Sequence, residues 1–319
     1  MRKYLLGVDG GNTKTDYLLH TTEGQYVDLL RTGTCSHENF PDGYDGMERT
    51  MRAQLNVILS RNKISVDDIA AACFGLAGAD FPHQIEELKM RVKAIGFTRF
   101  ELANDGILGI KAACADGVGI CAVNGTGTVV MGINERGEIL QIGGLGPLTG
   151  DNAGGFYIRD KIISVLYDFH FRCGEDSAMF PEVLALLGIK PNGLANLISN
   201  YELLHKYMAD IIKVGANAAT NGDLTAQKIF DDVGESIGKS VAGCIRGLSF
   251  DCGTPENPLE IVQVGSIWHK VPYPGMNAVF LQTAQEFSGK HCRILKPNAP
   301  PAEGGIAWAG EQLLIGEDV

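Results

Sequence analysis

Two stretches of the sequence combine glycine with hydroxyl-bearing residues in an order that suits an anionic ligand, and the first of them also contains an aspartate. The first reads Asp9-Gly10-Gly11-Asn12-Thr13-Lys14-Thr15 and lies between two apolar runs. This pattern predicts a β-hairpin with a Gly-Gly-Asn turn, because Gly and Asn adopt positive φ at little cost. Backbone N–H groups in such a turn can approach a phosphate, and Asp9 could orient a hydrated Mg²⁺. An ordinary hairpin whose aspartate caps the turn explains this stretch equally well.

The second stretch repeats the first. Its order is an apolar run at 120–124, a turn of Gly125-Thr126-Gly127, and a second apolar run at 128–131. A polar turn, a short strand at 139–142 and a glycine pair follow. Such a duplication favours two similar domains whose glycine turns face each other across a cleft. Two unrelated hairpins remain the alternative, because Gly-Thr turns recur by chance.

Asp105 is the third candidate for chemistry. It follows a short predicted strand, 99–103, and precedes a glycine and a predicted helix that runs through Ala115. Open α/β sheets bind ligands at the carboxyl ends of their strands, so a carboxylate here could accept a proton from a substrate. An aspartate before a helix also serves as an N-cap, and the residues alone favour that interpretation.

The elements that position the two glycine turns and Asp105 are strands and helices in alternation along the chain. Period-2 and buried apolar runs predict further strands at 26–30, 69–76 and 261–264, while helical spacing predicts helices at 44–63, 82–95, 156–169 and 306–314. Region 177–250 has a mostly helical pattern. Alternation of this kind predicts an α/β fold.

Length and charge narrow the class of protein. The 319 residues are enough for two domains. The formal net charge of −11 makes nucleic acid and acidic membrane surfaces poor partners. No run approaches ~18–20 apolar residues, so no membrane span is expected. The eight cysteines are scattered, without a C-x-x-C pair, as is typical of reduced thiols in a cytoplasmic protein.

Six motifs, taken in order, resemble a known family. They are the first glycine turn, Asn104-Asp105-Gly106, Asn124-Gly125-Thr126-Gly127-Thr128, the stretch from Gly143 to Asp151, Val264-Gly265-Ser266-Ile267-Trp268, and Glu303-Gly304-Gly305. This set resembles the BadF/BadG/BcrA/BcrD-type ATPases, and within them the N-acetylglucosamine kinase-like branch of the actin/hexokinase/Hsp70 superfamily. The resemblance implies two actin-like (ribonuclease H-like) domains that flank a nucleotide cleft. Their expected limits are 1–116 with 302–319, and 117–301 with a helical insertion.

The resemblance also implies an activity and a set of site residues. The activity is ATP-dependent phosphorylation of an amino sugar or an N-acetylated hexosamine, with Asp105 as catalytic base and Asp9 holding Mg²⁺ through water. The residues implied to contact ATP or its phosphates are Gly10, Gly11, Asn12, Thr13, Lys14, Gly125, Thr126, Gly127, Ala219, Gly265 and Ser266. Those implied to line the sugar pocket are Asn39, Asp105, Thr128, Val129, Gly144, Leu145, Gly146 and Asp151.

Several of these residues also have simpler interpretations. Asn39 could be a turn residue before Pro41, Asp151 could cap the helix that follows it, and Lys14 could be a surface charge of the hairpin. The sequence departs from the family pattern where Leu145 replaces a frequent tryptophan and Asn152 replaces a glutamate. Both changes fall in the implied acceptor site, so they affect the choice of sugar more than the use of ATP.

Two other functions fit parts of the pattern. A BadF-type ATPase that activates a partner enzyme carries an iron–sulfur cluster held by paired cysteines, whereas the cysteines here lack cluster spacing. A sugar sensor without catalysis would bind sugar and leave ATP intact. Family members are often dimers, so a homodimer is possible.

Overall fold

The computed structural model describes residues 3–114, 116–297 and 299–315. These residues form two compact units. Unit 1 contains the described residues up to Cys121 and from Leu295 onward, and unit 2 is Ala122–Ile294. Each unit is built around a five-stranded sheet with helices, which confirms the predicted α/β class. The predicted domain limits at 116 and 301 stay predictions, and positions 1–2 and 316–319 lie outside the described residues.

Unit 1 begins with the predicted hairpin. Its strands are β1 (Tyr4–Gly10), β2 (Lys14–Thr21), β3 (Tyr26–Gly33), β4 (Ile69–Leu76) and β5 (Phe100–Ala103), in the sheet order β3-β2-β1-β4-β5. β1 pairs antiparallel with β2 and parallel with β4, and β4 pairs parallel with β5. The carboxyl ends of β1, β4 and β5 therefore meet at one edge of the sheet, where ligands bind in α/β folds.

Helices cover both faces of this sheet. They are α1 (Tyr44–Arg61), α2 (Pro82–Ile95) and α3 (Gly106–Ala113). Leu6, Val8 and Phe74 pack into one core cluster with Met47 and Leu88, which belong to the first two helices. Strands covered on both faces have continuous apolar sequences, which explains why β1 and β4 could be recognised as apolar runs. The end of α3 was predicted at Ala115, which lies outside the described residues.

Unit 2 repeats the hairpin and adds a helical region. Its strands are β6 (Gly119–Asn124), β7 (Thr128–Ile133), β8 (Ile139–Gly143), β9 (Leu259–Val264) and β10 (Cys292–Leu295), in the order β10-β9-β6-β7-β8. Its helices are α4 (Gly154–Phe171), α5 (Met179–Leu187), α6 (Tyr201–Lys206), α7 (Met208–Thr220), α8 (Leu224–Leu248), α9 (Ser266–Lys270) and α10 (Pro274–Ser288).

The last helix, α11 (Pro301–Ile315), packs on unit 1. Its close approach to β1 depends on Gly7, where a Cβ atom would collide with the backbone of Ala302 and lie 2.9 Å from the nitrogen of Ile306. The helix begins five residues before the predicted start at 306. Within the described chain, no helix is both long enough and apolar enough to cross a membrane.

Three elements of unit 2 had no counterpart in the sequence prediction: the five-residue α9, α10 and β10. α10 starts with Pro274 at its first turn and ends before Gly289 in the left-handed region, and both are ordinary helix boundaries. Its buried residues Met276, Phe280 and Ala284 are spaced by four, so the signal was present. β10 has only four residues at the edge of the sheet, which is too short for a periodic pattern.

Candidate active site

The first glycine turn connects β1 to β2 at the ligand-binding edge of unit 1. The amide of Gly11 donates to the carbonyl of Lys14 at 3.0 Å and closes the turn. Gly10, Gly11 and Asn12 all have φ outside the left-handed region, so the predicted reason for the glycines is wrong. The structure gives another reason. A Cβ atom on Gly10 would lie 2.6 Å from Leu76 Cδ2, so close packing excludes a side chain there.

Asp105 lies directly beside this turn. A Cβ atom placed on Gly11 would be 3.7 Å from Asp105 Oδ2. Asp105 occupies the N-cap position of α3, but its side chain makes no capping hydrogen bond. The amide of Gly106 donates instead to Oδ1 of Asn104 at 2.9 Å. The carboxylate of Asp105 is therefore directed to the turn rather than used to cap its own helix.

Burial and neighbouring carboxylates raise the pKa of two acidic groups at this edge. Burial raises the pKa of Asp105 to about 7, and the negative charges of Asp9 and Asp80 add to the increase. Burial also raises the pKa of Asp9 to about 6, although the nearby Lys14 opposes this shift. Three acidic groups close together would be stabilised by a cation.

Asp9 could bind a Mg²⁺ ion whose other ligands are mostly water. Its side chain is nearly buried at the end of β1, and carboxylate oxygen is the ligand that Mg²⁺ prefers. Among the described residues, no group of three or more His, Cys, Asp or Glu side chains is arranged to hold a metal. Mg²⁺ usually keeps several waters and takes one or two protein carboxylates, so a single carboxylate is compatible with it.

Asn39 belongs to the same cluster. It ends a short 3₁₀ segment, His37–Asn39, and its Nδ2 donates to Oδ1 of Asn12 at 3.3 Å. The loop before it is held to the hairpin, since Thr34 Oγ1 donates to the carbonyl of Gly11 at 2.9 Å. One residue predicted to bind sugar and one predicted to bind phosphate therefore touch each other within unit 1.

Two other residues of the first turn are placed differently. Thr13 is exposed on the turn. The ammonium group of Lys14 donates to Asp16 Oδ2 at 2.8 Å, and Asp16 is also held by two hydrogen bonds from Arg31 at 2.7 and 2.8 Å. In this structure Lys14 belongs to a surface ion-pair cluster. Its contact with phosphate stays a prediction.

The second glycine turn packs against the start of α4 in unit 2. Gly125 N donates to the carbonyl of Gly127 at 2.9 Å, and the amides of Gly155 and Phe156 donate back to the turn at 2.8 and 3.1 Å. Gly154 has φ +81°, and a Cβ atom there would lie 2.7 Å from the backbone of Gly127. The turn is thus held by backbone hydrogen bonds to the start of α4, together with the bond that the Gly154 amide donates to Asn124 Oδ1 at 3.0 Å.

Three further residues predicted for ATP or sugar lie at this turn. Gly265, with φ +107°, packs its backbone on Asn124, and Ser266 follows as the first residue of α9. The hydroxyl of Thr128 donates to the carbonyl of Val123 at 2.9 Å, so it closes the hairpin in this structure.

The remaining predicted sugar residues of unit 2 form one loop. Asp151 Oδ2 accepts hydrogen bonds from the amides of Leu145 and Gly146 at 2.8 and 2.7 Å. Val129 pairs with Gly143 across the sheet, and a Cβ atom on Gly144 would be 3.1 Å from Val129 Cγ2. The N-cap of α4 is Ala153, so Asp151 organises the glycine loop instead of capping the helix.

Ala219 is set apart from these groups by its burial. It lies in α7 with a fully buried side chain, and its carbonyl accepts a hydrogen bond from Gln227 Nε2 at 3.0 Å. Its neighbours Ala218 and Thr220 line a cavity of about 500 Å³, together with the turn at 221–223. A contact between Ala219 itself and a nucleotide stays a prediction.

Asp80 and Asn104 were not assigned a role from the sequence. Asp80 follows β4 and Asn104 follows β5, and the Nδ2 of Asn104 donates to Oδ1 of Asp80 at 2.8 Å. Polar residues that come soon after two parallel strands were the available signal, because such strand ends share one edge.

Two curated relatives of this chain are named as sugar kinases. The N-acetylmuramic acid/N-acetylglucosamine kinase of Clostridium acetobutylicum is 25% identical over 249 residues, which cover 77% of this chain and 81% of that protein. The N-acetyl-D-glucosamine kinase of Dictyostelium discoideum is 27% identical over 51% of this chain and 53% of its own length.

A solved structure shows the same fold. The crystal structure of a candidate N-acetylglucosamine kinase from Chromobacterium violaceum superposes with a TM-score of 0.66 at 20% identity, over 95% of this chain and 98% of that one. The family described as the BadF/BadG/BcrA/BcrD ATPase family matches residues 6–288. The chain belongs to the BadF/BadG/BcrA/BcrD ATPase family.

Proposed function

We propose that this protein is an ATP-dependent sugar kinase that phosphorylates a hydroxyl of an N-acetylated hexosamine. The names of the relatives from Clostridium acetobutylicum and Dictyostelium discoideum, both N-acetylhexosamine kinases, support this substrate class. The observation that carries the proposal lies within unit 1. The carboxylate of Asp105 is placed at the backbone of the glycine turn, 3.7 Å from a Cβ position on Gly11.

The proposed reaction needs little covalent help from the protein. The hydroxyl oxygen of the sugar attacks the γ-phosphorus of ATP, the bond from that phosphorus to the β,γ-bridging oxygen breaks, and ADP leaves with the bonding electrons. The hydroxyl proton passes to the carboxylate of Asp105. Phosphoryl transfer depends on positioning and on charge stabilisation. In this proposal the two glycine turns hold the phosphates of ATP and stabilise their negative charge.

The glycine turns supply those tasks in this proposal. The first turn would present the backbone N–H groups of Asn12 and Thr13, which lie on the exposed part of the hairpin, and the second would present those around Thr126. Gly10 and Gly154 serve the packing of the two turns, because a Cβ atom at either position would press on a neighbour. A Mg²⁺ ion held by Asp9 through water would neutralise phosphate charge. The adenine part of ATP would occupy the cavity beside Ala219.

The sugar would lie beside Asp105. Asn39 is exposed next to Asn12 and offers an amide to a hydroxyl or an acetamido group. Asp151 supports the glycine loop that begins at Gly144, and Leu145 on that loop is half exposed. A site that pairs a substrate's polar groups rejects analogues that lack them, because its own buried groups are then unpaired.

A coupled assay for ADP tests the proposal. ATP turnover is measured with N-acetylglucosamine, N-acetylmannosamine, N-acetylmuramic acid, glucosamine and glucose, with and without Mg²⁺. We expect at least one N-acetylated sugar to stimulate turnover, and Asp105→Asn to lower kcat by about 10²-fold or more. The matched control is Asp67→Asn, which removes the same charge from an exposed position of unit 1.

The assay also separates the other two functions. Turnover that no sugar stimulates, and that survives in Asp105→Asn, would contradict the kinase proposal and favour an ATPase that acts on a partner. Sugar binding without any ATP hydrolysis would favour a sensor. Light scattering of the same preparations measures whether the protein forms the predicted homodimer.

A further inference from the structure

Asp80 is held firmly next to Asp105, although the proposed reaction gives it no part. Its backbone amide donates to Oε1 of Gln84 on α2 at 3.1 Å. Its Oδ1 accepts a hydrogen bond from Nδ2 of Asn104 at 2.8 Å. Its backbone and its carboxylate are therefore fixed by two different elements of unit 1.

Asn104 connects Asp80 to the start of α3. The same amide group that donates to Asp80 accepts, through Oδ1, the amide hydrogen of Gly106 at 2.9 Å. Asn104 is 5% exposed, so both bonds are shielded from water. Asp105 stands in the sequence between Asn104 and Gly106, the two residues that the second of these bonds joins. Its backbone position consequently depends on the bond between Asn104 and Asp80.

Asp80 also carries a charge that acts on Asp105. Burial is the main reason why the pKa of Asp105 rises to about 7, and the charges of Asp9 and Asp80 are the next two causes. Lys14 and Arg31 are the positive charges near this edge, and they lower the pKa of Asp9, whereas the charges that act most strongly on Asp105 are those of Asp9 and Asp80. Burial lowers the pKa of His37 and raises that of Cys121, so both are neutral.

We propose that Asp80 is a positioning residue for the phosphoryl transfer, which fixes the backbone of Asp105 through Asn104 and keeps a second negative charge beside it. The inference rests on the proposed function, in which Asp105 accepts the hydroxyl proton. A general base works best when its pKa lies near the working pH. The carboxylate of Asp80, which is held in place by Asn104, raises the pKa of Asp105 toward that range without contacting the substrate.

The first experiment separates charge from hydrogen bonding. Asp80→Asn keeps an oxygen that can accept the bond from Asn104 but removes the charge, whereas Asp80→Glu keeps the charge. In Asp80→Asn we expect the rising limb of the plot of kcat/KM against pH to move to a lower pH, by about 0.5–1 pH unit. We expect kcat at pH 8 to fall severalfold and KM for ATP to stay the same. Asp80→Glu should leave the limb within about 0.2 unit of the wild type, and Asp67→Asn should leave the whole profile unchanged.

A purely structural role for Asp80 predicts a different result. In that case Asp80→Asn would lower activity equally at all pH values, or leave it unaltered, with no shift of the limb. Either finding would overturn the inference. Asn104→Ala removes the connecting amide, so it should lower kcat more than it raises KM for the sugar. An unchanged kcat in that variant would contradict the positioning part.

A second measurement does not depend on catalysis. Carbon-13 NMR of aspartate carboxyl groups follows the titration of Asp105, assigned by its disappearance in Asp105→Asn. A lower Asp105 pKa in Asp80→Asn than in the wild type supports the inference, and an equal value refutes it. If no sugar stimulates turnover in any protein, the proposed function fails, while this titration still decides whether Asp80 acts on Asp105.

Discussion

Removing the charge of Asp105 should make the protein more stable while it abolishes activity. The side chain is partly buried beside Asp9 and Asp80, and its pKa is raised from 3.8 to about 7. A carboxyl whose pKa is higher in the folded than in the unfolded state binds protons more tightly when folded. Its ionisation therefore opposes folding. This cost is absent well below pH 4, grows between pH 4 and 7, and is complete above pH 7.

The size of the effect follows from that shift. A rise of about 3 units corresponds to an upper bound of about 4 kcal/mol at 1.36 kcal/mol per unit. Water reaches part of the side chain and screens its repulsion from the other carboxylates, so we expect Asp105→Asn to gain about 1–2 kcal/mol at pH 8. The gain should fall to about half at pH 5.5, where the wild-type carboxyl is mostly protonated in the folded state.

Thermal and urea unfolding at pH 5.5 and pH 8 measure this gain. For units of this size we expect an increase in Tm of about 2–8 °C at pH 8. The control is Asp67→Asn, which has the same change of charge at an exposed site. The reasoning is refuted if Asp105→Asn is no more stable than the wild type at pH 8. It is also refuted if the gain is the same at both pH values, or if the control gains equally.

Two other substitutions test the packing and the acceptor loop. Gly7→Ala should destabilise unit 1 by about 1–3 kcal/mol in urea unfolding, because a Cβ atom there collides with the backbone of α11. The control is Gly33→Ala, whose Cβ atom would contact nothing within 4 Å. Its stability should stay within about 1 kcal/mol of the wild type. Asp151→Ala removes the acceptor for the amides of Leu145 and Gly146, so KM for the sugar should rise about tenfold with KM for ATP unchanged. A rise in both constants would show that the loop serves the nucleotide as well.

The elements that the sequence predicted well are those with unambiguous boundaries. β4 and α2 have the predicted limits, Ile69–Leu76 and Pro82–Ile95. β4 is buried along its whole length, so its apolar run begins and ends with the strand. α2 has proline at its start and Gly96 after its end, and both positions suit only those residues well. β10, a four-residue strand in which only Cys292 is buried, offered no comparable signal.

The glycines of the first turn were predicted for a reason that the structure does not support. Positive φ was expected, but Gly10 is needed because Leu76 and Cys35 occupy the space of a side chain. Both neighbours come from segments distant in sequence. A glycine required by such contacts has the same local pattern as one required by a turn, so sequence alone cannot separate the two causes.

The roles of the acidic residues depend on contacts that a linear pattern does not contain. Asp105 was recognisable from its place after a strand and from the family motif, yet as a sequence it equally suited a helix cap. A contact distinguishes the helix cap from the candidate base. Asn104 accepts the hydrogen bond from the Gly106 amide, so the carboxylate of Asp105 is left to face the glycine turn. Asn104 in turn is oriented by Asp80, some two dozen residues earlier. The chain therefore uses one buried amide to replace the cap, to hold a like charge in place, and to leave its candidate base facing the first glycine turn. This arrangement costs stability at neutral pH, because the partly buried carboxylate of Asp105 must ionise. Neutralising that carboxylate is therefore expected to stabilise the fold and to lower activity at the same time.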